Sequence, residues 1–225
     1  MSAPAPPPAR RFFDAIAGRY ERAYALPADV SRRRLDRILA LLPPAPARVL
    51  DLGVGTGREL SALLDAGYAP TGLDVSQRML DRCARRSRPV PLVCADFWAG
   101  ALPFEARAFD AVIALHGTLA HPPAVASITE LARELARLVA TGGVFVAEVP
   151  SPAWLDRVPL DSSDSDRRVR RTGPRSCVYE DLVTGASIDA LVLDESEWQD
   201  ALGPAWWTQV EPLGDLERIV VARRA

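Results

Sequence analysis

The residues best suited to chemistry surround a glycine-rich turn. A short apolar run containing Asp51 leads into Gly53, Gly55 and Gly57, and Arg58 follows directly. Because glycine has no side chain, a ligand can approach the backbone closely along such a turn. In an open parallel sheet the binding site lies beyond the carboxyl ends of the strands, which is where this turn falls. The pattern therefore predicts a ligand site at the turn.

The spacing of the glycines separates two kinds of nucleotide site. A dinucleotide-binding fingerprint has the pattern GxGxxG. Here Gly57 comes one residue too early, and Arg58 occupies the position of the last dinucleotide glycine. Asp74 ends the next apolar run, where a carboxylate can accept hydrogen bonds from both ribose hydroxyls of a nucleoside cofactor. The alternative is that Asp74 only caps the helix that follows.

Four side chains are candidates for accepting a proton, in the order His121, His116, Tyr20 and Glu148. Both histidines follow the fourth apolar run, and Glu148 ends the fifth, so all three belong to the same predicted edge as the glycine turn. Histidine, glutamate and tyrosine can all act as general acids or bases. Each also has a structural alternative, such as a hydrogen-bonded histidine or a core tyrosine. The two histidines and three cysteines show no zinc-ligand spacing, so no metal site is predicted.

Strands and helices that alternate along the chain are expected to position these residues. Two helices come first, over residues 11–25 and 31–42, the second with Ser31 as its N-cap. The predicted strands then span 48–52, 69–73, 90–94, 109–115 and 144–149, and the helices between them span 58–65, 76–86 and 124–139. Ser76 is the expected N-cap of the helix that follows the second strand.

This alternation predicts an α/β fold, a Rossmann-like, doubly wound and mostly parallel sheet with helices on both faces. Two final strands, 206–210 and 217–222, are predicted to be antiparallel and bring the sheet to seven strands. Residues 151–193 form a predicted insertion with a small β-hairpin, in which Thr184 and Gly185 make the turn. Its arginine-rich part is predicted to be a solvated loop or hairpin edge, with an anion site as the alternative. We expect one domain over residues 11–225 and a disordered tail over residues 1–10.

Composition narrows the class of protein. The chain has 225 residues, a net charge of −2 and 48% hydrophobic residues, which is typical of a globular domain. A nucleic-acid partner is not expected, because no basic excess is present. No apolar run predicts a membrane span or a signal peptide. Three widely spaced cysteines, Cys83, Cys94 and Cys177, predict buried thiols in a reducing compartment, so a cytoplasmic location is expected.

These motifs together resemble the class I S-adenosylmethionine (SAM)-dependent methyltransferases, in particular the branch that acts on small molecules. The glycine turn with its preceding aspartate is similar to the family's first motif, and Asp51, Asp74 and Asp96 fall at three successive strand ends as in that family. The segments 109–121 and 13–21 are similar to its fourth motif and to a helix that covers the cofactor, with Glu21 where the family often has aspartate. The resemblance covers residues 12–150. The segment 151–193 matches no family pattern and is expected to carry acceptor specificity.

The resemblance implies SAM as cofactor and S-adenosylhomocysteine (SAH) as product. Asp96 would accept a hydrogen bond from the adenine amino group, and Phe97 would flank the ring. The implied cofactor-binding residues are Asp51, Gly53, Gly55, Gly57, Asp74, Val75, Asp96, Phe97, Leu115 and Tyr20. A nucleophilic acceptor atom would attack the methyl group in line, and a hydroxyl or ammonium acceptor would first lose a proton to one of the four candidate bases.

Three alternatives remain open from the sequence. The acceptor could be a protein or an RNA, although no basic surface or added recognition domain is evident. The chain could bind SAM without turnover, since the turn motifs would be identical. A nicotinamide-dependent dehydrogenase is disfavoured by Gly57 and Arg58. The sequence predicts neither the acceptor, nor the atom methylated, nor the oligomeric state.

Overall fold

The computed structural model describes residues 5–157, 161–163 and 166–225. The helices are α1 (Pro8–Ile16), α2 (Tyr20–Ala23), α3 (Ala28–Leu39), α4 (Leu60–Asp65), α5 (Gln77–Arg86), α6 (Val125–Leu138), α7 (Pro152–Arg157) and α8 (Glu195–Leu202). The strands are β1 (Arg48–Leu52), β2 (Ala69–Asp74), β3 (Leu92–Cys94), β4 (Phe109–Ala114), β5 (Val139–Pro150), β6 (Asp161–Ser163), β7 (Arg167–Arg171), β8 (Ser176–Asp181), β9 (Ala186–Leu191), β10 (Trp206–Pro212) and β11 (Glu217–Arg224).

Seven strands form one sheet in the order β3-β2-β1-β4-β5-β11-β10. The first five are parallel, and β11 runs antiparallel to both of its neighbours. This confirms the predicted Rossmann-like sheet. The strand order reverses between β1 and β4, which is the switch point where such sheets bind their ligands.

Alternating apolar side chains give the sheet two buried faces. Leu50 and Leu52 of β1 pack in a core with Leu135 of α6 and Trp198 of α8. Val49, which precedes Leu50, packs on the opposite face, in a core that includes side chains of α3 and α4. Helices therefore cover both faces, and β1 is held between them at the centre of the sheet.

Several predicted boundaries are wrong for identifiable reasons. The predicted first helix is two helices, α1 and α2, and α1 already begins at Pro8, because proline is compatible with a first helical turn. The predicted tail is therefore wrong at residues 8–10, and residues 1–4 lie outside the described part of the chain. Pro27, not Ser31, precedes the first turn of α3. Ser76 is the N-cap of α5, as predicted, and accepts a hydrogen bond from the Met79 N–H.

The insertion is larger than the predicted hairpin. The pair β8–β9 corresponds to that hairpin, but β6 and β7 extend it to a four-stranded antiparallel sheet. Strand β7 is the arginine-rich segment. Its side chains are alternately exposed and half-buried, so one face of the strand can be polar.

The prediction of buried thiols is correct for Cys83 and Cys177 and wrong for Cys94, which is exposed at the end of β3.

Candidate functional site

A cavity of about 380 Å³ lies at the carboxyl ends of β1, β2 and β4. Its floor is the glycine turn after β1 and the segments after β2, β3 and β4, and its cover comes from α1, α2, β8 and β9. Among the predicted residues, the wall includes Tyr20, Gly53, Gly55, Asp74, Val75, Asp96, Phe97, His116, His121 and Glu148. The structure therefore brings ten of the predicted site residues to one cavity, whereas Asp51, Gly57 and Leu115 are not on its wall.

The three glycines of the turn have different structural roles. All have positive φ, with values of 75° at Gly53, 54° at Gly55 and 77° at Gly57. A Cβ at Gly53 would lie 2.5 Å from Cγ2 of Thr118, whereas a Cβ at Gly55 would meet only a backbone oxygen at 3.9 Å. A Cβ at Gly57 would lie 2.6 Å from Sγ of Cys83. Gly55 therefore leaves open space for a ligand, and Gly57 allows the turn to pack on α5.

Asp74 holds the glycine turn against the end of β2. Its Oδ2 accepts a hydrogen bond from the Gly55 N–H at 2.8 Å, and its Oδ1 accepts one from the Ser76 N–H at 2.8 Å. Burial raises the pKa of Asp74 to about 6 despite these bonds. Because Ser76 caps α5, Asp74 is not the helix cap and is free to present carboxylate lone pairs to the cavity.

Asp51 is a buried carboxyl beneath the turn. It is 2% exposed, and burial, together with the nearby carboxylates of Glu59 and Asp74, holds its pKa well above the usual range. Its Oδ2 has no hydrogen-bond partner among the described residues. Its predicted contact with a cofactor stays a prediction, because the side chain does not reach the wall.

Asp96 and two aromatic residues form the wall beyond β3. Oδ1 of Asp96 accepts a hydrogen bond from the Trp98 N–H at 2.9 Å. The rings of Phe97 and Trp98 have centroids 4.8 Å apart, and all three residues line the cavity. A carboxylate beside aromatic faces is suited to a flat ring that carries an amino group. Trp98 is a wall residue that the sequence motifs do not single out.

His116 is pinned between two carboxylates. Its φ is 54°, its N–H donates to Oε2 of Glu148 at 3.0 Å, and its Nε2 lies 2.6 Å from Oε1 of Glu59. Glu148 in turn forms an ion pair with Arg34 of α3, and Arg34 also bonds Glu217 at 3.2 Å. These contacts make Glu148 and His116 parts of one network of hydrogen bonds and ion pairs.

His121 has a different environment. Its Nδ1 lies 2.8 Å from the carbonyl oxygen of Asp189 in β9. A carbonyl only accepts, so Nδ1 carries the hydrogen, and Nε2 of the neutral ring keeps its lone pair. Burial lowers the pKa of His121, which keeps the ring neutral near pH 7. The ring packs edge-on against Phe13, with centroids 6.0 Å apart.

Tyr20 is better suited to donate a hydrogen bond than to act as a base. Burial raises its pKa to about 12, so the phenol keeps its proton near neutral pH. The ring of Tyr20 stacks on that of Tyr24 with centroids 5.0 Å apart, and the guanidinium of Arg58 lies 5.0 Å from the centroid of the Tyr20 ring.

Leu115 is buried in the core below the cavity, and its carbonyl accepts hydrogen bonds from the N–H and Oγ1 of Thr118.

A buried ion pair ties the cover together. Arg19, between α1 and α2, bonds Asp181 at the end of β8 and Asp166 before β7. Asp181 is fully buried, and Arg19 is 8% exposed. Side chains of α1 pack beside this pair against Met79 and Ile188. The N-terminal helices and the insertion therefore close over the cavity as one layer, which the local sequence pattern does not indicate.

Within residues 5–157, 161–163 and 166–225, no group of three or more His, Cys, Asp or Glu residues could hold a metal ion. None of the helices in the same ranges combines the length and apolar character needed to cross a membrane.

Comparison with known proteins agrees with this geometry. Residues 49–143 match the family described as a methyltransferase domain. A demethylmenaquinone methyltransferase from Beutenbergia cavernae is 36% identical over 149 residues, which are 63% of this chain and 58% of the relative. A malonyl-[acyl-carrier protein] O-methyltransferase from Halorhodospira halophila is 32% identical over 200 residues, which are 83% of this chain and 63% of the relative. The chain thus matches about three fifths of the length of these relatives.

The fold is also found in solved structures. The CcbJ methyltransferase from Streptomyces caelestis superimposes with a TM-score of 0.75 at 19% identity, over 95% of this chain and 98% of the other. Over residues 49–143 the chain therefore matches a methyltransferase domain, and it has the Rossmann-like fold of a solved methyltransferase.

Proposed function

We propose that this chain transfers the methyl group of SAM to a small-molecule acceptor. The observation that carries the proposal is the cavity at the switch point of the sheet, where Gly55 leaves open space beside Asp74. Both relatives described above are named for methyl transfer, one to demethylmenaquinone and the other to malonyl-[acyl-carrier protein]. The net charge of −2 gives no support to a nucleic-acid acceptor.

The wall residues fit the parts of SAM in a consistent order. Gly53 and Gly55 let the backbone approach the cofactor, Asp74 accepts hydrogen bonds from the ribose, and Asp96 with Phe97 holds the adenine. Val75 lines the cavity next to Asp74. When bound, SAM supplies an electrophilic methyl group with a neutral thioether as leaving group. The protein has to orient the acceptor, and orientation can contribute roughly 7–11 kcal/mol to lowering the barrier.

The pairing of charges in the cavity wall favours methyl transfer. A strong anion beside the sulfonium would stabilise the ground state more than the transition state, in which positive charge is being lost. Arg34 neutralises Glu148, and two backbone N–H groups bond Asp74. The charge of Glu148 is thus compensated by its own partner.

His121 is the base we assign for acceptors that must lose a proton. Its Nδ1–H is fixed on the Asp189 carbonyl, and its neutral form presents Nε2 as the proton acceptor. Trp154 and Tyr179 also line this part of the cavity and give it an apolar, aromatic character. We therefore expect the cover to determine which acceptor binds. The absence of a family pattern in residues 151–193 agrees with this.

Calorimetry with SAM and SAH is the first test of this function. We expect both ligands to bind, and Asp74→Ala to weaken each by about tenfold or more, about 1.4 kcal/mol. Folded protein that binds neither ligand would overturn the proposal. Binding of both without SAH formation from any acceptor in a panel of phenols, amines, carboxylic acids and quinols would favour a SAM-binding protein without turnover.

A further inference from the structure

We propose that Asp14 of α1 is a positioning residue for Asp74, the carboxylate proposed to bind the ribose of SAM, and that it acts through Ser76. This inference rests on the proposed function, because it concerns how the cover supports a residue of the cofactor site. In the sequence, Asp14 stands out only as a member of the segment 13–21, and no role is assigned to its side chain there.

A chain of hydrogen bonds runs from the cover to the glycine turn. The Ser76 hydroxyl donates to Oδ1 of Asp14 at 2.6 Å, and the Ser76 N–H donates to Oδ1 of Asp74 at 2.8 Å. Oδ2 of Asp74 accepts a hydrogen bond from the Gly55 N–H at 2.8 Å. Ser76 therefore bonds the first helix of the cover with its side chain and the proposed ribose-binding carboxylate with its backbone.

The orientation of the Ser76 side chain depends on Asp14. Ser76 is fully buried, and its Oγ also accepts a hydrogen bond from the Met79 N–H at 3.1 Å as the N-cap of α5. A hydroxyl has one hydrogen to donate, and donation to a carboxylate is stronger than donation to a neutral acceptor. Because this hydrogen points to Asp14, the lone pairs of Oγ remain available to the Met79 N–H. Without the Asp14 carboxylate, the buried hydroxyl would lose its acceptor.

The same bond sets the position of α1 where this helix covers the cavity. Ile16 of α1 and Met79 of α5 belong to one apolar core, and Phe13 of α1 lines the cavity. Apolar contacts are non-directional, so they hold α1 on α5 without fixing its exact placement. The hydrogen bond from Ser76 to Asp14 is directional and fixes it. One contact therefore sets both the placement of α1 and the support of the β2 end.

Asp14 also acts on Asp74 through its charge. Burial is the main reason that the pKa of Asp74 is raised to about 6, and the nearby negative charge of Asp14 raises it further. Arg10 forms an ion pair with Asp14 at 3.6 Å and offsets part of that charge. The other ionisable groups in this neighbourhood are Asp51, Glu59, Arg58, Tyr20, Cys83 and Cys94. None of these groups is changed in the variants below.

The first test measures SAM binding by calorimetry at about pH 7.5, where carboxylates are normally ionised. Asp14→Ala removes the acceptor of the Ser76 hydroxyl and should weaken SAM by about fivefold or more. Asp14→Asn keeps an oxygen that can accept this bond, so its affinity should stay within about twofold of wild type. Asp29→Ala is the matched control, because Asp29 also pairs with an arginine four positions along its helix but is exposed on α3. It should leave SAM binding unchanged.

The pH profile of SAM binding separates an effect on Asp74 from general support of α1. Affinity should fall as the pH decreases through the pKa of Asp74, because a protonated carboxyl offers fewer lone pairs to the ribose hydroxyls. Asp14→Asn removes a negative charge that raises this pKa. The fall should therefore move to lower pH by about half a unit or more, whereas Asp29→Asn should leave it in place.

The remaining outcomes distinguish the inference from the proposed function. Folded wild-type chain that binds neither SAM nor SAH overturns the function itself. SAM binding as tight in Asp14→Ala as in wild type overturns the role of Asp14 and leaves the function intact, and so does an equal effect of the Asp29 variants. If circular dichroism shows that Asp14→Ala is unfolded, the profile of Asp14→Asn decides, and a profile identical to that of wild type overturns the inference.

Discussion

Among individual residues, Asp74 combines a proposed binding role with a cost to stability. Its carboxyl is 6% exposed and carries a pKa of about 6, mainly because burial disfavours the ionised form. Ribose hydroxyls are donors that would compensate the ionised form, so this cost falls when a nucleoside binds. The same burial that makes Asp74 unfavourable in the free protein therefore makes its hydrogen bonds to a ligand stronger.

The stability cost of Asp74 can be measured through its pH dependence. Because its folded pKa lies above the usual value, the wild-type chain loses stability from this group as the pH rises from about 4 through about 6. Asp74→Asn cannot ionise, so its free energy of unfolding should improve relative to wild type by on the order of 3 kcal/mol across that window. Urea unfolding at several pH values measures the difference, and a difference that is constant with pH contradicts the assignment.

His121 is the residue on which the chemical step is expected to depend. His121→Gln should lower kcat by about 10²–10⁴-fold if the acceptor must lose a proton, with the Kd for SAM unchanged. Because burial lowers the pKa of His121, the wild-type rate should fall only at a pH below the ordinary histidine range, where the ring becomes charged. His116→Gln is the control, since its ring is bonded to Glu59. An unchanged kcat in His121→Gln would remove His121 from the mechanism.

Among elements, the cover depends on contacts far apart in the sequence. Arg19 lies before α2 and Asp181 ends β8, so the pair joins positions 162 residues apart. A buried ion pair is weak evidence for added stability, but removing one partner leaves the other charge uncompensated. The junction of the N-terminal helices with the insertion should therefore be sensitive to single substitutions.

Arg19→Met should destabilise the cover by about 3–5 kcal/mol, because Asp181 is fully buried. Hydrogen exchange should become faster in α1 and in β8–β9, with little change in β1 and β4. The control is Arg33→Met, which breaks an exposed pair with Asp29 and should cost less than about 1 kcal/mol. Uniformly faster exchange across both sheets would show that the cover and the main sheet unfold together.

The same elements show what the sequence predicts and what it does not. The run from β1 to β5 is predictable because its strands are buried on both faces and read as continuous apolar segments, and because the glycines of the turn require positive φ. The sequence predicts β7 only as a solvated loop or a hairpin edge, because exposed arginines alternate with half-buried residues along it and no apolar run marks it as a strand. Arg58 lines the cavity, but in the sequence it stands out only because it occupies the position of the last glycine of a dinucleotide motif. A single arginine gives no periodic pattern that would indicate its role.

At the scale of the whole molecule, the cavity lies between a rigid sheet edge and a cover made from both the N-terminal helices and the insertion. Tyr20 and Gly55 line it from opposite layers, as do His121 and Tyr179. A ligand that contacts both layers binds the closed arrangement more tightly than an open one. Binding should therefore couple the cover to the main sheet.

SAH binding should show this coupling. At a free concentration of 100 times Kd, a ligand that binds only the folded chain stabilises it by about 2.7 kcal/mol. We expect Tm to rise with SAH and hydrogen exchange to slow together in the glycine turn, α1 and β8–β9. In Arg19→Met, SAH should still protect the glycine turn but protect the cover less, because the layers are no longer joined by the buried pair. Protection confined to the glycine turn in the wild-type chain would mean that the cover does not close on the cofactor and responds to the acceptor alone.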